Sequence, residues 1–293
     1  MPFQFLCSLT TLINKNNEHI VICFQIINAN FGAFVSQKKL PMNIQYCSDL
    51  HLEFRENLKY INSNPIPPLG EVLILAGDIT LFSRMKAHDS FFNYISDNFP
   101  LTYWIAVNHE YYDSDINRRS GTVMEKIRDN ILLVNNQSFV HGSTRLIFST
   151  LWSHVSEPNR WRVENSISDF NAILLNGKRF TVDDFNVLHD NDLAFIRTEL
   201  ETPWDGITIV ATHHVPTFMN YPKKYKGDPI NEVFASEQTD LIIKTSPTHW
   251  IYGHNHSNTP PFNIGLTQLI TNQLGYVHHH EHGSFDSSRH III

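Results

Sequence analysis

The chain has 293 residues, 42% of them hydrophobic, which is enough for one large α/β domain or two small ones. Its formal net charge is −7 and no Lys/Arg-rich run is present. That balance argues against a nucleic-acid partner bound by phosphate neutralisation, but not against a nuclease whose metals carry the positive charge. Three cysteines without Cys-x-x-Cys spacing (Cys7, Cys23, Cys47) speak against a disulfide scaffold or a thiolate zinc site and for a reducing, cytoplasmic compartment. No run reaches the roughly 18 apolar residues of a membrane span, so no membrane partner is expected.

Residues 1–41 carry no motif, only an Asn/Lys patch from Asn14 to Asn17 and an apolar run over residues 20–27. They read as an N-terminal extension of doubtful status, with the working domain over residues 42–293. The competing reading is an extra strand or helix packed on that domain. The start is apolar but lacks the basic region and small-residue cleavage site of a signal peptide.

Residues 43–46 form a short β-like run that delivers Asp49-Leu50-His51-Leu52-Glu53. Residues two apart in an extended segment project from the same side, so Asp49 and His51 are placed to grip one metal ion. Residues 62–70 hold three prolines and form a connection. Residues 71–76 form a strand-length run, apolar from Val72 to Ala76 as in a sheet buried on both faces, and end in Gly77-Asp78. A helix is expected over 86–98, then a strand over 101–106 that leads to Asn108-His109-Glu110. A charged helix is expected around 121–129.

Three short β-type runs (131–134, 138–141, 145–150) are joined by Asn135-Asn136 and Gly142-Ser143, both turn signals. Residues 151–180 read as irregular or helical, and 183–200 as a helix. Strands over 207–211 and 249–252 end in His213-His214 and in Gly253-His254-Asn255-His256. Residues 266–271 and 290–293 read as closing strands.

The candidate ligands therefore all follow strands, where ligands gather in layered α/β proteins. They are two Asp, one Asn and four His, oxygen and imidazole donors that suit Mn²⁺, Fe or Zn²⁺ with open water positions. The set is too large for one tetrahedral ion and suits two ions sharing a carboxylate.

In the order and spacing of these motifs, from residue 43 to the end, the sequence resembles the calcineurin-like metallophosphoesterases. The resemblance implies a four-layer αββα sandwich with a dinuclear centre of two divalent ions, Mn²⁺ foremost, with Fe, Zn²⁺ or Ni²⁺ as alternatives. Asp49, His51 and His256 would hold the first ion, Asn108, His213 and His254 the second, and Asp78 would bridge them. His213 rather than His214 is taken as the ligand because the family's histidine comes first in this turn. The activity implied is hydrolysis of small phosphomonoesters or phosphodiesters by a metal-bridging hydroxide, the ions about 3.5–4 Å apart. His109 is the candidate general acid, and Glu110 is a candidate acceptor behind His109 or a metal-bound histidine.

One position departs from the family. Val107 stands where glycine is usual, and a β-branched residue does not readily take positive φ. The loop presenting Asn108 and His109 is thus expected to adopt a β-region conformation or to be distorted.

Several residues stay open on sequence grounds. Glu53 is either a partner for Arg55 or a site residue. Trp152, His154 and Asp169 either touch substrate or are structural. Lys223, Lys224 and Lys226 are either a phosphate-attracting loop or a solvated one. The cluster from His278 to His282 reads as a solvated loop rather than a third metal site. No capping insertion is apparent, so an open site is expected. The alternatives in function are a nuclease or nucleotide diphosphatase on the same residues and, from another class, a non-catalytic interaction scaffold.

Overall fold

Continuous apolar runs become strands here because both of their faces are covered. The computed structural model describes residues 9–13, 19–23 and 42–293. It divides into two units, Met1–Leu40 and Pro41–Ile293. In the first, strand β1 (Leu9–Ile13) pairs antiparallel with β2 (His19–Cys23), Leu9 opposite Cys23. The remainder of the segment expected as an extension lies outside the described residues.

The second unit opens with β3 (Asn43–Cys47), helix α1 (Arg55–Ser63), β4 (Val72–Leu75), helix α2 (Asp89–Asn98) and β5 (Leu101–Ile105). A two-residue strand β6 (Ser114–Asp115) precedes β7 (Val123–Arg128), β8 (Ile131–Asn135), β9 (Gln137–His141) and β10 (Thr144–Ser149). Helices α3 (Arg160–Ser166) and α4 (Asp169–Ala172) and the short strands β11 (Ile173–Leu175) and β12 (Lys178–Arg179) follow. Then come α5 (Val182–Glu201), β13 (Ile207–Thr212), α6 (Thr239–Thr245), β14 (His249–Tyr252), β15 (Phe262–Ile264), β16 (Thr267–Thr271) and β17 (His290–Ile292).

Two six-stranded sheets result, ordered β17-β3-β4-β5-β8-β7 and β15-β16-β14-β13-β10-β9. In each, the four central strands are parallel and both edge strands antiparallel. Alternation along β4 explains the layering. Val72 and Ile74 pack with Leu146, Phe148, Ile209 and Ile251 of the second sheet, forming the core between the sheets. Leu73 and Leu75 face the other way, onto Ile61 of α1 and Phe91, Phe92 and Ile95 of α2. The far face of the second sheet, with Ile147, Val210 and Trp250, is covered by Ile196 and Leu200 of α5 and Ile242 of α6. The architecture is helix–sheet–sheet–helix, as the resemblance implies. Among the described residues no helix is long and apolar enough to cross a membrane.

Residues 121–129 correct the sequence reading: they are strand β7, not a charged helix. Asp129-Asn130 turns the chain so that Met124 lies opposite Val134 and Glu125 opposite Leu133 of β8. Cross-strand pairing overrides helix-forming residue types, and the charges of Glu125, Lys126 and Arg128 suit an edge strand. Helix α1 was not expected. Its buried Asn57 ties the elements beneath the site, donating to the carbonyls of Leu50 (2.9 Å) and Gly275 (2.8 Å) and accepting from the Val277 amide (3.1 Å).

Candidate metal centre

The carboxyl ends of β3, β4, β5, β13 and β14 converge, and each opens into a sharp turn rather than running on. Asp49 (φ 57°), His51 (φ 45°), Asp78 (φ 54°), His254 (φ 77°) and His256 (φ 47°) all occupy the left-handed region. This corrects the expectation that Asp49 and His51 share a side through extended backbone; a left-handed turn brings them together, with Leu50 buried between them. Non-glycine residues held in such conformations cost about 1–3 kcal/mol each, and clustering of that strain marks a functional site. Cross-loop hydrogen bonds hold it: the amides of Asp49 and His51 donate to the carbonyls of Gly77 (3.0 Å) and Asp78 (2.9 Å). The His254 amide donates to Asp49 Oδ1 at 3.0 Å. That approach needs Gly253, because a Cβ there would lie 2.7 Å from Asp49 Oδ2.

Potential ligand atoms of Asp49, His51, Asp78 and His256 lie within 4.8 Å of one another, as do those of Asp78, His213 and His254. Asp78 belongs to both groups, 3.5 Å from His51 Nε2 and 3.4 Å from His213 Nε2. His51 Nδ1 contacts Glu53 Oε1 (3.1 Å), His256 Nδ1 contacts Glu281 Oε2 (2.7 Å) and His213 Nδ1 contacts the Ala76 carbonyl (2.9 Å). These partners are pure acceptors, so each Nδ1 carries a proton and each Nε2 is turned toward the neighbouring ligand candidates. His51 Nε2 stands 3.0 Å from His256 Nε2, and His213 Nε2 3.0 Å from His254 Nδ1. In the metal-free protein each of these pairs shares a proton, and a divalent cation bound there would take that proton's place.

Charge balance points the same way. Asp49 and Asp78 are buried, and among the described residues neither pairs with a lysine or arginine. Buried carboxylates without a cation are costly. In the metal-free protein, imidazoles answer them. Burial opposes protonation of His213, but Asp78 and Asp49 outweigh it and push its pKa up to about 9. Burial also opposes protonation of His256, where hydrogen bonds to Asp49 and Glu281 push the value to about 10. Asp78 is held well below the usual carboxylate range: burial raises it, but His213, His109 and His51 more than compensate. The donor set fits divalent cations.

Asn108 lines a cavity with Asp78 and His254. Its Nδ2 donates to Asp169 Oδ1 (3.2 Å), while its Oδ1 is buried with no hydrogen-bond donor. An amide so anchored presents its carbonyl oxygen as a ligand. His213 is the histidine that joins the cluster. His214 instead contacts Ser153 Oγ (3.2 Å) and stacks on His254, centroids 4.2 Å apart.

His109 lies at the edge of this cluster and lines the same cavity, of about 310 Å³. Its Nδ1 is 3.3 Å from Glu53 Oε1, its Nε2 is 3.4 Å from the Tyr276 hydroxyl, and its ring stacks on Tyr112 at 4.2 Å. Glu53 is thus a site residue that orients both His51 and His109. Burial raises its pKa, yet the histidine hydrogen bonds bring it down to about 2. Glu110 does not take the role considered for it. Its carboxylate accepts from the amides of Asp78, Ile79 and Val107 and from Trp104 Nε1, which binds two site loops together.

Val107 does not distort its loop: its φ is not positive, and its side chain fills the space beside Gly77. A Cβ on Gly77 (φ 90°) would come within 2.6 Å of Val107 Cγ1, so the glycine of one loop makes room for the valine of the other.

Asp169 lines the cavity and Trp152 does not; Trp152 is buried against His214, and His154 is exposed. Lys223, Lys224 and Lys226 are exposed, and none of them lines the cavity. Nor is the site fully open, because residues 166–169 and 221–234 supply part of the cavity lining. The sequence reading missed Glu281, Tyr276 and Tyr112. For Glu281 a signal existed, a lone carboxylate among histidines. For the tyrosines there was none.

Comparisons with known proteins agree with the geometry. The chain is 30% identical over 277 residues to the uncharacterized protein L509 of Acanthamoeba polyphaga mimivirus, covering 85% of this chain and 96% of that one. Among solved structures it is similar to the phosphopantetheinyl hydrolase PptH from Mycobacterium tuberculosis, with a TM-score of 0.62 and 16% identity, over 85% of this chain and 95% of that one. At that identity the likeness is one of fold. The family model described as calcineurin-like phosphoesterase matches residues 42–258. The chain belongs to the calcineurin-like phosphoesterases.

Proposed function

We propose that this chain is a dinuclear metal-dependent phosphoesterase acting on small phosphomonoesters or phosphodiesters. Asp49, His51 and His256 would hold one divalent ion, Asn108, His213 and His254 the other, with Asp78 shared. The observation that carries the reading is the pair of ligand-atom groups, Asp49, His51, Asp78 and His256 on one side and Asp78, His213 and His254 on the other, each with its atoms within 4.8 Å of one another and sharing Asp78. Oxygen and imidazole donors suit Mn²⁺ first, with Fe, Zn²⁺ or Ni²⁺ compatible. When bound, two such ions supply Lewis acidity toward phosphoryl oxygens and acidify water at neutral pH.

The chain's own groups do the rest. Glu53 fixes His109 through Nδ1, which leaves Nε2 beside the Tyr276 hydroxyl at the cavity. From there Nε2 delivers a proton to the leaving oxygen. Carboxylates behind His51 and His256 hold both rings in one tautomer. The hydrolase among the solved neighbours is in keeping with this reading. Retention of every ligand position favours it over a non-catalytic scaffold.

The test is a panel of phosphomonoesters and diesters with Mn²⁺-supplemented protein at matched pH, alongside metal analysis. Turnover that requires two bound ions is expected. Bound metal below one equivalent, or full metal with no turnover of any phosphoester, overturns the reading.

A further inference from the structure

The cavity beside the metal-ligand cluster has a lining of two unlike parts. One carries Asp78, Asn108, His109, His254 and His256. The other part of the lining, from residues 166–169 and 221–234, presents Ile167, Tyr221, Tyr225, Ile230, Val233 and Phe234. Tyr221 and Tyr225 set their rings 6.4 Å apart, and Phe234 packs on His254 at 4.9 Å.

Among the described residues no lysine or arginine lines the cavity; its charged side chains outside the ligand set and His109 are Asp169 and Glu281. The exposed Lys223, Lys224 and Lys226 stand outside this lining. The Lys224 ammonium sits 4.5 Å over the Tyr225 ring, and Arg162 pairs with Asp228 at 3.3 Å.

These observations separate substrates by charge. One phosphoryl group can be neutralised at the metal-ligand wall. A second anionic group seated against that lining would be desolvated beside aromatic carbon and two carboxylates, with no lysine or arginine among the described residues lining it, and such burial is costly. An uncharged organic group would instead bury apolar surface against the tyrosines. The volume of about 310 Å³ sits at the small end of ligand cavities, roughly 300–1,000 Å³.

Resting on the phosphoesterase reading, we propose that the substrate carries a single phosphoryl group on an uncharged, apolar or aromatic organic moiety seated against Tyr221, Tyr225 and Phe234. Nucleoside polyphosphates and sugar bisphosphates are rejected.

Alkyl phosphates test this, because methyl, butyl and hexyl phosphate share a leaving-group class and differ in apolar area. Each methylene buried contributes about threefold to fourfold, so kcat/KM is expected to rise at least about tenfold from methyl to butyl phosphate. Butane-1,4-diyl bisphosphate is expected to fall at least about tenfold below butyl phosphate. Tyr225→Ala flattens the chain-length slope, and Tyr225→Arg raises the bisphosphate relative to butyl phosphate. Thermal melting confirms that the variants fold.

Binding of methyl- and butylphosphonate to the metal-loaded protein, followed by calorimetry, separates this inference from the catalytic reading. Tighter butylphosphonate binding with no ester hydrolysed upholds the apolar seat and sinks the catalytic reading. Hydrolysis with no chain-length slope, or with the bisphosphate preferred, overturns the inference and leaves the phosphoesterase standing.

Discussion

The two halves of the metal centre rest on different supports. On the Asp49 side a carboxylate stands behind each imidazole, Glu53 behind His51 at 3.1 Å and Glu281 behind His256 at 2.7 Å. On the Asn108 side His213 leans on a backbone carbonyl at 2.9 Å, and His254 Nε2 is buried without a partner. Asn108 itself is a neutral amide held by Asp169. A carboxylate behind an imidazole makes it a more basic ligand, and the Asp49 side also contributes an ionisable oxygen donor of its own. The Asp49 side should therefore fill first and hold its ion more tightly.

The largest effect belongs to the residue that both halves share. Asp78→Ala is expected to empty both positions and lower kcat/KM by about three orders of magnitude or more. Full metal content in that variant would break the shared-ligand picture.

Next comes His109, which belongs to neither half. His109→Ala is expected to keep both ions and to cost about 10²–10⁴ in rate on alkyl phosphates, with a much smaller loss on p-nitrophenyl phosphate. Equal losses on the two would remove it as the acid.

Third, the supports themselves can be changed one at a time. Glu281→Gln should weaken the tighter ion about 10–100-fold and leave the other; Asp169→Asn should do the converse. If each variant weakens both ions alike, the distinction between the halves fails.

A smaller effect is expected from pH. The raised pKa values of His213 (about 9) and His256 (about 10) mean that the metal-free protein keeps protons at pH 7 on these imidazoles. Metal uptake must displace them, so affinity should fall with decreasing pH, by up to about tenfold per unit for each proton released. Chelator competition at pH 6, 7 and 8 measures this, and a flat profile contradicts it.

Smallest in its effect on activity is Val107→Gly, which vacates the space beside Gly77. It should lower stability by roughly 1–2 kcal/mol, seen as a drop in Tm with the metals retained.

The candidate ligands were legible in sequence because each follows a buried strand and lies within a short local pattern. Residues 72–76 show this: apolar on both faces, then Gly77-Asp78 where the chain turns. The supports were not legible, because they meet the ligands only through the fold. Asp169 reaches Asn108 across 61 residues and Glu281 reaches His256 across 25. Glu53 was visible, but its partner His109 is 56 residues away, so Arg55 looked an equally good match. Strand β7 was misread for the same reason, since its charges suit a helix until β8 pairs with it. The left-handed turns at Asp49 and His51 were hidden as well, because no glycine marks them.

The central claim is a pair of unequal divalent sites that share Asp78. Titrating metal-stripped protein with Mn²⁺ by calorimetry, with elemental analysis of the product, tests it most directly. Two equivalents bound in two separable steps are expected, with the weaker step weakened about 10–100-fold further in Asp169→Asn. A single equivalent, two indistinguishable steps, or an unchanged titration in that variant would contradict it.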